Sequence, residues 1–157
     1  MTSFVDFRSL FLLVAANTAP VLLARALPGR LAYPIDANRI LRDGQPLFGS
    51  HKTWRGLIAG TLAASAAGIS VSVGFATGAA FGALALTGDL LSSFVKRRLA
   101  RASGHWTPLI DQIPESLLPL LILQHQLGLE GGSLFGTVAV FTLLDMVASK
   151  LTAAISK

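Results

Sequence analysis

The chain is 157 residues long, one domain's worth, with 52% hydrophobic residues, only 13% charged ones and a mean hydropathy of +0.63. That composition excludes a disordered chain and leaves too little polar surface for a water-soluble globule of this size. The absence of cysteine removes disulfides, thiolate metal sites and cysteine nucleophiles; the net charge of +5 would invite nucleic acid, but the basic residues are confined to short segments between apolar runs.

Taken in chain order, the apolar runs predict an all-α, polytopic membrane protein forming a single integral membrane domain over 1–157. The first span is expected at about 9–27, around the charge-free run Ser9–Ala24. Segment 25–55 then carries Arg25, Arg30, Arg39, Arg42, Lys52 and Arg55. From Gly56 to Gly88 there are 33 residues without a charge. As one helix they would extend ~50 Å, well beyond a ~30 Å hydrocarbon core. Breaking them near Ser70–Gly74 gives two short spans, about 57–72 and 75–94, in a tight hairpin. Gly56 and Gly60 form a GxxxG, and Gly74, Gly78 and Gly82 repeat every four residues, so small faces would let backbones approach closely. These faces also leave room for a homodimer. Lys96, Arg97, Arg98 and Arg101 open the next polar segment, and the last two spans are expected at about 114–129 and 132–152.

Five spans put 12 of the 13 basic residues on one side, with only Arg8 opposite. The positive-inside rule then predicts cytoplasmic loops at about 28–56 and 96–113, a cytoplasmic C-terminus and an outside N-terminus in the cell membrane. A single span in place of the hairpin would set the two basic loops on opposite sides. The N-terminus has no basic n-region of the kind that precedes a cleaved signal peptide.

The first loop, with Asp43-Gly44, Pro46 and Gly49, is expected to be irregular. It ends in Gly49-Ser50-His51-Lys52-Thr53-Trp54-Arg55-Gly56. Lys52, Arg55 and the free N–H groups of the following helix suit a polyphosphate. A basic juxtamembrane anchor with Trp54 at the interface is the competing explanation. On the third helix Asp89, Ser93 and Lys96 or Arg97 share a face, and an intramembrane carboxylate is costly enough to need a role or a partner. That partner alone could be Lys96 or Arg97. Further on, Asp111 precedes Pro114 and Glu115, residue types that favour helix starts. Carboxylates and cations at one membrane face suit Mg²⁺ with a phosphate substrate. Walker A, GxSxG and HExxH patterns are absent from the sequence.

GDLLSSFVKRR (88–98) resembles the GD-x-x-x-S-x-x-KR segment of membrane CTP:phosphatidate cytidylyltransferases, and HKTWRG (51–56) resembles their Lys-Thr-aromatic loop ending. The short length, five spans and DGQPLFGSHKTWRG (43–56) are closer still to the CDP-archaeol synthase family. The resemblance implies attack of a lipid phosphate on CTP, giving a CDP-lipid and pyrophosphate with Mg²⁺. It implies that Asp89 and Asp111 hold the metal, that Lys52, Lys96 and Arg97 neutralise phosphates, and that Thr53 and Ser93 position them. Asp43, Gly49, His51 and Arg55 fall in the loop implied to bind substrate. The sequence departs from the family at one point: the family's Asp-Arg/Gln-x-Asp reads Asp111-Gln112-Ile113-Pro114 here, leaving Glu115 as the substitute metal ligand one residue late.

Two other readings compete. One is a relative that binds nucleotide or anionic lipid without turnover, motivated by the missing carboxylate; the other is a small transporter with a relay through Asp89 and Asp145. Asp145 itself is expected to meet a polar partner on a neighbouring helix. Gln124-His125-Gln126 reads as an interfacial polar patch at the outer end, and His105 as part of a solvated turn.

Overall fold

A computed structural model describes residues 4–100 and 108–155. Its helices are α1 (Phe7–Ala26), α2 (Trp54–Ser70), α3 (Phe75–Arg98), α4 (Pro108–Ile122), the short α5 (Gln124–Leu127) and α6 (Gly131–Ile155). Among the described residues the only extended pairings are two isolated bridges in the first loop, Pro34 with Thr53 and Ile40 with Pro46. By length and composition, α1, α3 and the Gly131–Ser149 part of α6 are apolar enough to cross a membrane. With 17 and 15 residues, α2 and α4 are shorter than the ~20 that usually span a bilayer. Arg101 and His105 lie outside the described residues.

The charge-free stretch does break in two: α2 ends at Ser70, Ser72 takes a left-handed φ of 59°, and α3 starts at Phe75. Small side chains then bring the two arms together. A Cβ on Gly78 would lie 2.5 Å from the Ala64 carbonyl oxygen, a backbone contact that admits no larger residue. Gly60, Gly68, Gly78 and Gly82 are therefore occupied by contacts within the chain, while Gly74 at the turn faces open space. The α3 helix is central, packing on α2, α4 and α1, while α6 closes the bundle against α4 and α1. Leu12, Leu13 and Ala16 of α1 recur at helical spacing and meet Ala64, Phe81, Ala85, Leu120 and Phe141 in one buried cluster. Leu62, Ile69, Leu91, Val95, Ile122 and Leu143 stay exposed on the outer faces. Apolar surface both inside and outside is what a lipid-solvated bundle requires.

The fourth helix departs most from expectation. It begins at Pro108, six residues before the predicted 114, and ends at Ile122, with α5 as a separate turn. Proline is favoured at the first helical position, so Pro114 reads as a start. The described helix already runs from Pro108, so Pro114 and Pro119 lie inside it. Their missing N–H groups release the carbonyls of Ile110 and Glu115, a cost of ~3 kcal/mol each that packing on α3 must offset. At the far end of the bundle, Asp6 caps α1 through Ser9 N at 3.0 Å, and Arg8 Nη2 donates to the Leu127 carbonyl at 2.9 Å. His125 and Gln126 are exposed at that same end.

Candidate functional site

The first loop is folded around Asp36. Its carboxylate accepts from Asn38 N at 3.0 Å and from Phe48 N and Gly49 N, each at 2.9 Å. Burial works against ionisation, but these backbone donors outweigh it and hold the Asp36 carboxyl below the usual aspartate range. Ile35 N donates to the Lys52 carbonyl at 2.8 Å and Trp54 N to the Tyr33 carbonyl at 3.1 Å, which ties the loop's two ends together. Thr53 caps α2, its Oγ1 accepting from Gly56 N at 3.2 Å. Thus the loop presents Lys52 in a fixed place at the head of α2.

Lys52 Nζ reaches both oxygens of Asp89 on α3, at 2.7 and 2.6 Å. The pairing with Lys96 or Arg97 considered from the sequence is not the one made here; Lys96 Nζ instead binds Asp111 Oδ1 at 2.6 Å. Arg98 pairs with Asp43 of the first loop, donates to the Pro46 carbonyl at 2.7 Å and stacks over Phe94. The Arg98 guanidinium helps hold the exposed Asp43 carboxyl below its ordinary range, together with the Gln45 backbone N–H. Three ion pairs therefore join the first loop, α3 and the start of α4 at one end of the bundle. Ser92, rather than Ser93, bridges α3 to α4, its Oγ donating to the Gly88 carbonyl at 3.0 Å with the Asp111 carbonyl at 3.3 Å.

Gly88 supplies the other half of the geometry. A Cβ there would lie 2.2 Å from Pro114 O and 2.7 Å from Glu115 Cα, so α3 and α4 touch backbone to backbone one residue before Asp89. This contact brings Glu115 to the same cavity as Asp89. The cavity holds about 530 Å³ and is lined by His51, Lys52, Thr53, Asp89, Glu115 and Asp145, with Asn17 and Arg25 from α1. Asp145 does have the expected polar partner on a neighbouring helix: Gln112 Nε2 donates to its Oδ2 at 2.5 Å. The Gln112 amide oxygen is buried and, among the described residues, accepts no hydrogen bond.

Of the residues singled out from the sequence, His51, Lys52, Thr53, Asp89 and Glu115 meet at this cavity. Asp43, Gly49, Arg55, Ser93, Lys96, Arg97 and Asp111 do not line it. Arg55 turns the other way, donating to the Leu27 and Arg30 carbonyls and pinning the end of α1. Ser93 and Arg97 are buried on α3. The sequence reading missed Asp36, although Pro34-Ile35-Asp36-Ala37-Asn38 carries an Asx-turn signal, and it missed Asn17 and Arg25, isolated polar positions on an apolar helix.

The polar groups lining the cavity are carboxylate, hydroxyl and amide oxygens together with the Lys52 amine, the Arg25 guanidinium and the His51 imidazole, a set suited to a hard cation with phosphate. Glu115 is 9% exposed, and its carboxyl, among the described residues, makes neither a hydrogen bond nor an ion pair. No three acidic or imidazole side chains among the described residues converge on one point. Magnesium commonly takes only one or two carboxylates and completes its shell with substrate phosphates and water, so the Asp89–Glu115 pair fits it.

A family profile described as "CarS-like: CDP-archaeol synthase" matches residues 65–154. The CDP-archaeol synthase of Staphylothermus marinus is 34% identical over 139 residues, covering 85% of this chain and 75% of that protein. Those of Hyperthermus butylicus and Aeropyrum pernix are 36% and 41% identical over 64% and 60% of this chain; the chain spans about three fifths of each, 60% and 59%. A solved structure described as "Structural insight into an intramembrane enzyme for archaeal membrane lipids biosynthesis" superposes with a TM-score of 0.75 at 32% identity, covering 90% of both chains.

Proposed function

Since the chain belongs to the CDP-archaeol synthase family, we propose that it is a membrane cytidylyltransferase that makes a CDP-activated lipid from CTP and a lipid phosphate. An oxygen of the lipid phosphate attacks the α-phosphorus of CTP, the bond to the β-phosphate breaks, and pyrophosphate leaves with that electron pair. Such transfer needs in-line placement and charge compensation rather than a protein nucleophile. The observation that carries the reading is the Lys52–Asp89 ion pair, which closes the first loop onto α3 beside Glu115.

In this reading Lys52 swings from Asp89 to the triphosphate when CTP arrives, exchanging one charge-assisted bond for another. His51 and Thr53 border the same anion and orient it. Asp89 and Glu115 would hold Mg²⁺, which would offset the charge of the triphosphate and leaving pyrophosphate. Asp111 and Lys96 brace one another at the mouth of the site, where Lys96 acts on phosphate through long-range charge. Arg97 and Arg98 reinforce the positive field at that end of α3, and Ser93 supports the α3 wall. The site faces the cytoplasm, α1 to α4 and α6 make the five crossings, and the N-terminus lies outside, as the distribution of Lys and Arg favours. Glu115 at the cavity supplies the second carboxylate whose loss at Pro114 motivated a reading without turnover.

The test is incubation of purified protein with labelled CTP and di-ether, diacyl and polyprenyl phosphates, with and without Mg²⁺. Mg²⁺-dependent CDP-lipid and an equal amount of pyrophosphate are expected, strongest with the di-ether lipid. CTP binding with no product from any of the three would refute the proposal.

A further inference from the structure

The first loop keeps its acids inside and its arginines outside. Between α1 and α2 the carboxylates are Asp36 and Asp43, and the fold uses both: Asp36 binds three backbone N–H groups and Asp43 pairs with Arg98. Arg30, Arg39 and Arg42 are exposed, and among the described residues their side chains make no hydrogen bond or ion pair. Arg25, which lines the polar cavity and a second cavity between α1 and α6, is not counted with them. Apolar side chains accompany these cations: Leu31, Tyr33 and Ile40 are 65%, 70% and 67% exposed. Leu31 also takes a left-handed φ of 53°, a conformation leucine rarely adopts, yet its side chain gains no burial from it. Beside the Pro34–Thr53 bridge, Trp54 N donates to the Tyr33 carbonyl, so two exposed aromatics stand opposite one another where α2 begins.

We propose that the first loop is a foot that docks on anionic lipid headgroups of the leaflet around it, with Leu31, Tyr33 and Ile40 among the headgroups and Arg30, Arg39 and Arg42 on lipid phosphates. The inference rests on the placement of this loop at the cytoplasmic leaflet and not on the reaction. Charge complementarity selects the occupant, because the outward side of the loop carries free guanidinium groups and no free carboxylate. Guanidinium groups grip phosphate oxygens in pairs, and aromatic and aliphatic side chains beside them belong at the boundary between headgroup and acyl chain. A free nucleotide would satisfy the arginines but leave the apolar side chains in water. A second copy of the chain would bring the same cations against one another. Docking also bears on the site, since the loop's two ends are tied at Ile35–Lys52 and Tyr33–Trp54. A loop held on the leaflet holds Lys52 over the cavity, so CDP-lipid formation rises with the anionic content of the bilayer.

The experiment uses the full chain in phosphocholine vesicles, with and without added phosphoglycerol lipid. Ile40→Cys supplies the sole thiol for an environment-sensitive fluorophore. Phosphoglycerol lipid should shift its emission to the blue and shield it from acrylamide in the water. Each arginine near an anionic surface is worth about fivefold in the docking equilibrium, so Arg39→Gln with Arg42→Gln should weaken docking about 25-fold. The paired lysine variants should retain most of it, and high salt should abolish it. In turnover, phosphoglycerol lipid should stimulate the parent but not the paired glutamine variant, whose rate in phosphocholine alone should match the parent's. Equal emission and equal acrylamide quenching in neutral and anionic vesicles overturn the proposal. So does a blue shift that survives in the glutamine variant, or one that CTP alone produces in phosphocholine vesicles. Arginine-dependent docking by a protein that makes no CDP-lipid would sustain the foot and refute the reaction instead.

Discussion

The contact at Gly88 gives the sharpest mutational test, because one methyl group bears on the whole site. In Gly88→Ala the new Cβ would sit 2.2 Å from Pro114 O, 2.5 Å from Pro114 C and 2.7 Å from Glu115 Cα. All three are backbone atoms, so no side chain can rotate away. Restoring ordinary contact requires α4 to retreat by about 1 Å. Overpacking of this kind costs ~1–3 kcal/mol, which a helical bundle can survive with a lowered melting temperature. The larger consequence is chemical: Glu115 moves away from Asp89 by the same distance. A misplacement of ~1 Å costs ~10²-fold in rate when positioning is the main source of catalysis. The assay is CDP-lipid formation at saturating substrates, alongside helical content and melting temperature. A folded Gly88→Ala protein with kcat within about threefold of the parent would show that the α3–α4 contact does not set the site.

Removing the carboxylate in Asp89→Asn should lower kcat at least ~10²-fold and weaken the dependence on Mg²⁺, measured as rate against metal concentration. Asp111→Asn should be milder, about tenfold, because Asp111 acts through Lys96; a loss as large as that of Asp89→Asn would return Asp111 to the metal. Lys52→Met should raise KM for CTP with little change in KM for the lipid phosphate. Asp36 predicts a pH effect. Its pKa is lower in the folded chain than in the unfolded one, so its stabilisation is present above the ordinary aspartate value and disappears as pH falls through the folded value. Acid melting of the parent between pH ~5 and ~2 should thus be steeper than that of Asp36→Asn, and identical slopes would contradict the role given to its three backbone bonds.

The hairpin was legible because its cause is one of length: 33 uncharged residues overshoot the bilayer as a single helix, and the break needs a few turn-tolerant positions. The partner of Asp145 was legible for a related reason, since a carboxylate deep in a bundle is too costly to leave unpaired. Lys52 and Asp89 could each be picked out from local motifs. Their pairing could not, because 37 residues and a whole helix separate them and Lys96 stands nearer in sequence. The start of α4 was hidden by the ambiguity of proline, which opens helices and, where tertiary packing compensates, also sits inside them. Arg55 and Arg25 show the same limit from opposite sides. In sequence Arg55 looks like a phosphate ligand and Arg25 is only one more basic residue after the first span; the fold directs Arg55 to carbonyls and leaves Arg25 lining two cavities.

The central claim is that the first loop and the Asp89 stretch of α3 share one pocket, on the same membrane face as the end of α3. The chain has no cysteine, so single His51→Cys and Leu99→Cys substitutions create the sole thiols for labelling with a membrane-impermeant maleimide in sealed vesicles of known orientation. The account predicts that both react from the cytoplasmic side only, and that CTP with Mg²⁺ protects position 51. Labelling of the two positions from opposite sides of the membrane would contradict it.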